Sequence, residues 1–141
     1  MSGHFNHFQA ERINTIEPSA TASVDYTLTA EQSGSIIFLK DTNLVDTCTI
    51  RLPPPDYGLN FKFIVTTAAG SQNRVNIRSY NSSNVLTALI NVHEQLNANA
   101  GEQNTLTLDM NGIDVSDTFD IICDGTKWYA NGVVNNTGKY T

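Results

Sequence analysis

Asp117-Thr118-Phe119-Asp120-Ile121-Ile122-Cys123, then Asp124-Gly125, then Thr126-Lys127-Trp128-Tyr129-Ala130-Asn131-Gly132-Val133, is the stretch that decides the fold. Phe119, Ile121 and Cys123 fall on one side of an extended segment, and Asp120 and Ile122 on the other. Asp-Gly supplies the positive φ that a tight hairpin turn needs, and the return strand carries the single tryptophan. A hairpin with one apolar face must cover that face with a second layer. The rest of the chain has to provide it.

Working backward from the hairpin, short alternating runs recur. Thr105-Leu106-Thr107-Leu108-Asp109 reads as a strand, as do Val75, Ile77 and Ser79 alternating with Asn76, Arg78 and Tyr80. In Leu59-Asn60-Phe61-Lys62-Phe63-Ile64-Val65 the inward set is Leu59, Phe61, Phe63 and Val65. In Thr47-Cys48-Thr49-Ile50-Arg51-Leu52 it is Cys48, Ile50 and Leu52. Pro53-Pro54-Pro55 stops that strand, because proline cannot donate to a ladder. Ser35-Ile36-Ile37-Phe38-Leu39 is a nearly continuous apolar strand, and Tyr26 and Leu28 mark a short first one. Val85 to Val92 fits either one strand or a short helical turn. Eight or nine short strands at this spacing predict a single all-β domain, an antiparallel β-sandwich or jelly-roll-like barrel, over 24–141.

Residues 1–23 show no lasting period. Phe5, Phe8, Ile13 and Ile16 are apolar points in a polar segment, so the segment reads as an extended N-terminal arm lying on a neighbouring subunit or partner; the alternative is an unordered leader.

Composition agrees with an all-β domain. The 141 residues are 40% hydrophobic and 16% charged, with Asn, Thr and Ser filling the difference. A net charge of −6 and eight scattered basic residues offer no stripe that tracks a phosphate backbone, so no nucleic-acid partner is expected. No apolar run has the length of a membrane span, and no hydrophobic signal region opens the chain.

Catalytic and cofactor chemistry is not expected either. No nucleophile elbow, P-loop or paired Cys-x-x-Cys occurs, and none of the three histidines stands beside a plausible nucleophile. His4 and His7, three apart with no Cys or spaced carboxylate near, make a poor metal site. Asp109, Asp114, Asp117, Asp120 and Asp124 bunch in the last third. A calcium site or acid/base pair is one reading; turn-forming or solvated Asp is the favoured one, because the EF-hand spacing is missing. Cys48 and Cys123 read as buried free thiols, with an inter-strand disulfide as the alternative in an oxidising compartment. Trp128-Tyr129 is either a sugar-stacking pair or, by alternation, Trp in the core and Tyr at the rim. The expected core anchors are Phe61, Phe63, Phe119, Ile121 and Trp128.

Several of these segments are familiar in combination. Leu28 to Leu39, then Ile50-Arg51-Leu52-Pro53-Pro54-Pro55, then Gly58-Leu59-Asn60-Phe61-Lys62-Phe63-Ile64-Val65, then Asp124-Gly125-Thr126-Lys127-Trp128-Tyr129 resemble, in that order, the capsid decoration (cement) and head-fibre proteins of tailed bacteriophages. The likeness runs from about Leu28 to Val134 and leaves the arm outside. It implies a β-sandwich that assembles as a homotrimer, binds the major capsid protein outside the shell and stabilises it by bridging capsomers, without enzymatic activity. Phe5, Phe8, Ile13 and Ile16 are expected as capsid or subunit contacts from their own apolar character, since the arm's role is not inherited from the likeness. The alternative is a receptor- or glycan-binding module of a phage fibre or tail.

Overall fold

Alternation fixes which side of a strand meets the core, but it leaves the neighbours of that strand open. The structure, a computed structural model, supplies the neighbours; it describes residues 14–18, 25–40, 47–67, 74–82, 85–92, 95–98, 104–109 and 117–134. The strands are β1 (Thr15–Ile16), β2 (Asp25–Thr27), β3 (Ile36–Lys40), β4 (Thr47–Arg51), β5 (Tyr57–Thr67) and β6 (Arg74–Arg78), followed by β7 (Leu86–Val92), β8 (Gln95–Ala98), β9 (Thr105–Asp109), β10 (Thr118–Asp124) and β11 (Trp128–Val134). Among the described residues, helix is limited to 3-10 turns at Ala30–Gln32 and Tyr80–Ser82. The described residues are therefore all-β, and the segment after Val85 is strand from Leu86 to Val92.

The strands form a seven-stranded sheet in the order β1-β3-β5-β10-β11-β7-β8 and a four-stranded sheet in the order β2-β4-β6-β9. Both sheets are mixed, which corrects the expectation of an antiparallel fold. β10 pairs antiparallel with β5 and β11, β6 with β9, and β7 with β8. The pairs β1–β3, β3–β5, β2–β4, β4–β6 and β7–β11 are parallel. The reason lies in the connections. From β1 to β6 each strand is followed by one in the other sheet, so the chain reaches its next same-sheet neighbour only after a full circuit, and it returns in the same direction. A strand of the opposite sheet thus does the work of the crossover that parallel neighbours require. Tyr26, Ile50 and Ile77 stack as one ladder of this coil, and Ile16, Ile37 and Phe63 as another. It is a structural repeat with no repeat in the sequence.

The inward residues of both sheets form one hydrophobic core. Leu28, Cys48, Ile50, Leu52, Val75, Ile77 and Leu106 come from the four-stranded side, and Ile37, Leu39, Phe61, Phe63, Val65, Leu86, Phe119, Ile121, Cys123, Trp128 and Ala130 from the other. Phe63 stacks on Phe119 with ring centroids 4.8 Å apart, and Phe61 tilts against Trp128 at 6.1 Å. The five expected anchors, Phe61, Phe63, Phe119, Ile121 and Trp128, are all buried on the adjacent strands β5, β10 and β11.

The segment expected as an arm enters this fold at its end. Thr15 and Ile16 pair in parallel with Ile36 and Ile37, Ile16 packs against the core, Pro18 is buried, and Glu17 lies 3.2 Å from Lys40. Ile16 is thus a core-edge residue of its own chain. Phe5, Phe8 and Ile13 lie outside the described residues.

Both cysteines are free and buried, Cys48 on β4 of one sheet and Cys123 on β10 of the other. Burial pushes both thiols up from their ordinary range, with Asp25 adding to the effect at Cys48. Since the thiolate is the reacting species, a thiol reagent is expected to label neither cysteine in the native protein at neutral pH and both after denaturation. Rapid native labelling of one would show that its strand faces the other way.

Candidate functional site

The β10–β11 turn is built by one carboxylate. Asp124 Oδ1 accepts from the Thr126 and Lys127 backbone N–H groups at 2.9 and 2.8 Å and from the Thr126 hydroxyl at 2.9 Å, while Asp124 Oδ2 accepts from the Tyr129 hydroxyl at 3.0 Å. Strand pairing ends at Cys123 and Trp128, and the Asp124 N–H donates to the Lys127 carbonyl at 3.1 Å. The connection is therefore longer than a two-residue turn. Gly125 alone carries the positive φ, +98°, because the aspartate side chain closes the loop by collecting the N–H groups itself.

These donors, the backbone ones foremost, hold the Asp124 carboxyl well below its ordinary value of 3.8. A depressed folded value means a stabilising contribution that is complete above about pH 3.8 and lost as pH falls through the lower folded value. In a carbon-detected NMR titration, Asp124 is expected to remain ionised at about pH 3, where an unperturbed aspartate is mostly protonated. A midpoint at the ordinary value would show that the turn hydrogen bonds are not held in solution.

Beside the turn, β5 carries an irregularity. Ile122 pairs with Asn60, but Asp124 pairs with Tyr57, leaving one extra residue on β5. Gly58, at φ +82°, sits in it, as expected of a bulge whose first residue is left-handed. The bulge brings Tyr57 alongside Asp124. The outer face at this end of the sheet thus presents Tyr57, Asn60, Ile122, Asp124 and Tyr129, all exposed.

The remaining candidates do not converge. Asp117 is buried at the start of β10 and Asp120 lies 3.8 Å from Lys62; Asp114, the Asp109 side chain and the three histidines lie outside the described residues. Among the described residues no group of three metal-ligating side chains comes together. No family model matches the chain, and no curated protein matches it.

Trp128 and Tyr129 part as alternation requires, one fully buried and one exposed, so they do not form a joint platform. Tyr57, between the proline run and the strand that begins at Leu59, carries no alternation that marks it as part of this face. One signal was present: Ile122 faces outward next to Asp120 in the hairpin, an apolar side chain on a polar face.

Proposed function

We propose that the chain is a non-enzymatic structural protein of a virion, a homotrimeric capsid decoration (cement) protein that binds the major capsid protein outside the shell and bridges neighbouring capsomers. Its two sheets are read as the faces of a sandwich. The observation that supports this is the use made of the residues that carry the family resemblance. Leu52 and Pro53 are buried at the strand stop, Gly58 forms the bulge, Phe61, Phe63 and Trp128 fill the core, and Asp124 closes the turn. All of them build a scaffold. A rigid block of this kind acts by burying surface across the seams of the shell. Three linked copies multiply weak contacts, because each later contact forms at a high effective concentration.

Residues 1–13, with Phe5, Phe8 and Ile13, are assigned to the subunit or shell contact; Ile16 is already engaged in the core edge. Deleting residues 1–13 keeps the Thr15–Ile16 pairing with β3. That truncation is expected to melt close to wild type, yet to lose trimerisation, capsid attachment or both. Light scattering after size exclusion reads the first, and quantitative mass spectrometry of purified virions the second. A full-length protein that is monomeric at micromolar concentration, or missing from virions, would overturn the proposal.

A further inference from the structure

Tyr57 is 83% exposed, Ile122 52% and Tyr129 43%, and register places them on one surface. Ile122 faces Tyr129 on one side and Asn60 on the other, and Asp124 faces Tyr57. Residues opposite each other across a ladder point to the same side of the sheet. Two aromatic rings therefore flank an isoleucine and a carboxylate at the hairpin end of the seven-stranded sheet. Their placement is supported from below. The Tyr57 N–H donates to Asp56 Oδ1 at 2.8 Å, the Tyr57 backbone lies against Gly125, and the Tyr129 hydroxyl is tied to Asp124. Apolar surface fixed in water on ordered strands is a feature to account for.

The chemistry of the rim selects the occupant. Asp56 adjoins Tyr57, Asp124 holds Tyr129, and Asp120 lies two residues from Ile122 along β10. These three carboxylates outnumber Lys62, itself 3.8 Å from Asp120, and Lys127 of the turn, so the face disfavours phosphate, sulfate and nucleic acid. Among the described residues three apolar side chains gather at this end of the sheet, far fewer than a stable protein interface needs, and a sheet face is too flat for a drug-like apolar molecule. A ring with a C–H face to lie on tyrosine and hydroxyls at its edge meets both conditions. The Asn60 amide gives one N–H to the Gly58 carbonyl at 3.0 Å, which leaves its Oδ1 and second N–H, with the second lone pair of Asp124 Oδ2, for those hydroxyls.

We infer that this surface binds a neutral, hexose-based oligosaccharide, with Tyr57 and Tyr129 as stacking faces and Asn60 and Asp124 as hydrogen-bonding groups. The site does not depend on capsid attachment, which is read by virion copy number instead. The test is a titration of ¹⁵N-labelled protein with cellotetraose, maltotetraose and chitotetraose, and with a heparin tetrasaccharide as the charged control. At least one neutral sugar is expected to shift the amides of Asn60, Ile122 and Tyr129 with a Kd of about 1 mM or tighter. Tyr57→Ala and Tyr129→Ala should each weaken binding about tenfold, while Tyr129→Phe, which keeps the ring, should weaken it about threefold or less. Heparin should leave the patch unshifted. The inference is overturned if no neutral sugar shifts these amides at about 10 mM, if both alanine variants fold and bind like wild type, or if heparin binds there more tightly than the neutral sugars.

Discussion

Trp128→Ala is expected to lower stability by about 3–5 kcal/mol, the range of large-to-small changes at fully buried aromatic positions. Trp128 is the largest fully buried side chain of the core. Its backbone is fixed on both sides, paired with Cys123 on β10 and Leu86 on β7, and its N–H donates to the Val85 carbonyl at 2.7 Å. The surrounding strands therefore have little freedom to collapse into the space. Its indole Nε1 is buried with no hydrogen-bond partner among the described residues, and an unmade hydrogen bond of this kind costs about 1–3 kcal/mol. Trp128→Phe removes that N–H and keeps most of the ring, so the two effects oppose each other and the net change should stay below about 1.5 kcal/mol. Urea denaturation followed by circular dichroism distinguishes the two variants, with a large drop in midpoint for alanine and a small one for phenylalanine at unchanged slope. An alanine variant that unfolds at the wild-type midpoint would mean that Trp128 is not a core residue in solution.

What the sequence displayed of this core, and what it withheld, follow from the same period of two. Cys48, Ile50 and Leu52, then Leu59, Phe61, Phe63 and Val65, then Val75 and Ile77, and Phe119, Ile121 and Cys123 all alternate with outward residues, and all are buried. Facing is a local property, written in each strand. Direction and neighbours are properties of the connections, and the parallel ladders of β1 to β6 leave no mark on the strands themselves. The β10–β11 hairpin was legible because its pairing is contiguous in sequence. By contrast, β11 also pairs with β7, and β10 with β5, at separations no pattern reports. The exposed tyrosine face has the same character: Tyr57 and Tyr129 share it only because β5 and β11 both lie beside β10.

One residue in the hairpin carried a legible signal of close packing, a glycine in the interior of a strand, and it yields the second large effect. Gly132→Ala is expected to destabilise the protein by about 3 kcal/mol, at the upper end of overpacking. The inward residues of β11 shrink along the strand from Trp128 to Ala130 to Gly132, and their partners on β10 are Cys123, Ile121 and Phe119. Large faces small at both ends of this series, so the two strands stay close along their length. A methyl group at 132 would come within 3.0 Å of the Phe119 Cβ, the Phe119 Cα and the Thr118 carbonyl oxygen. None of these is the movable end of a side chain. Nor can β11 step away, because Gly132 also pairs with Ile90 on its other side. The clash is with backbone, so Phe119→Leu should not relieve it. In a double-mutant cycle the two changes should add to within about 0.5 kcal/mol. Crowding against the phenyl ring would instead appear as rescue by leucine, and a Gly132→Ala variant with the wild-type denaturation midpoint would refute the close approach of β10 and β11.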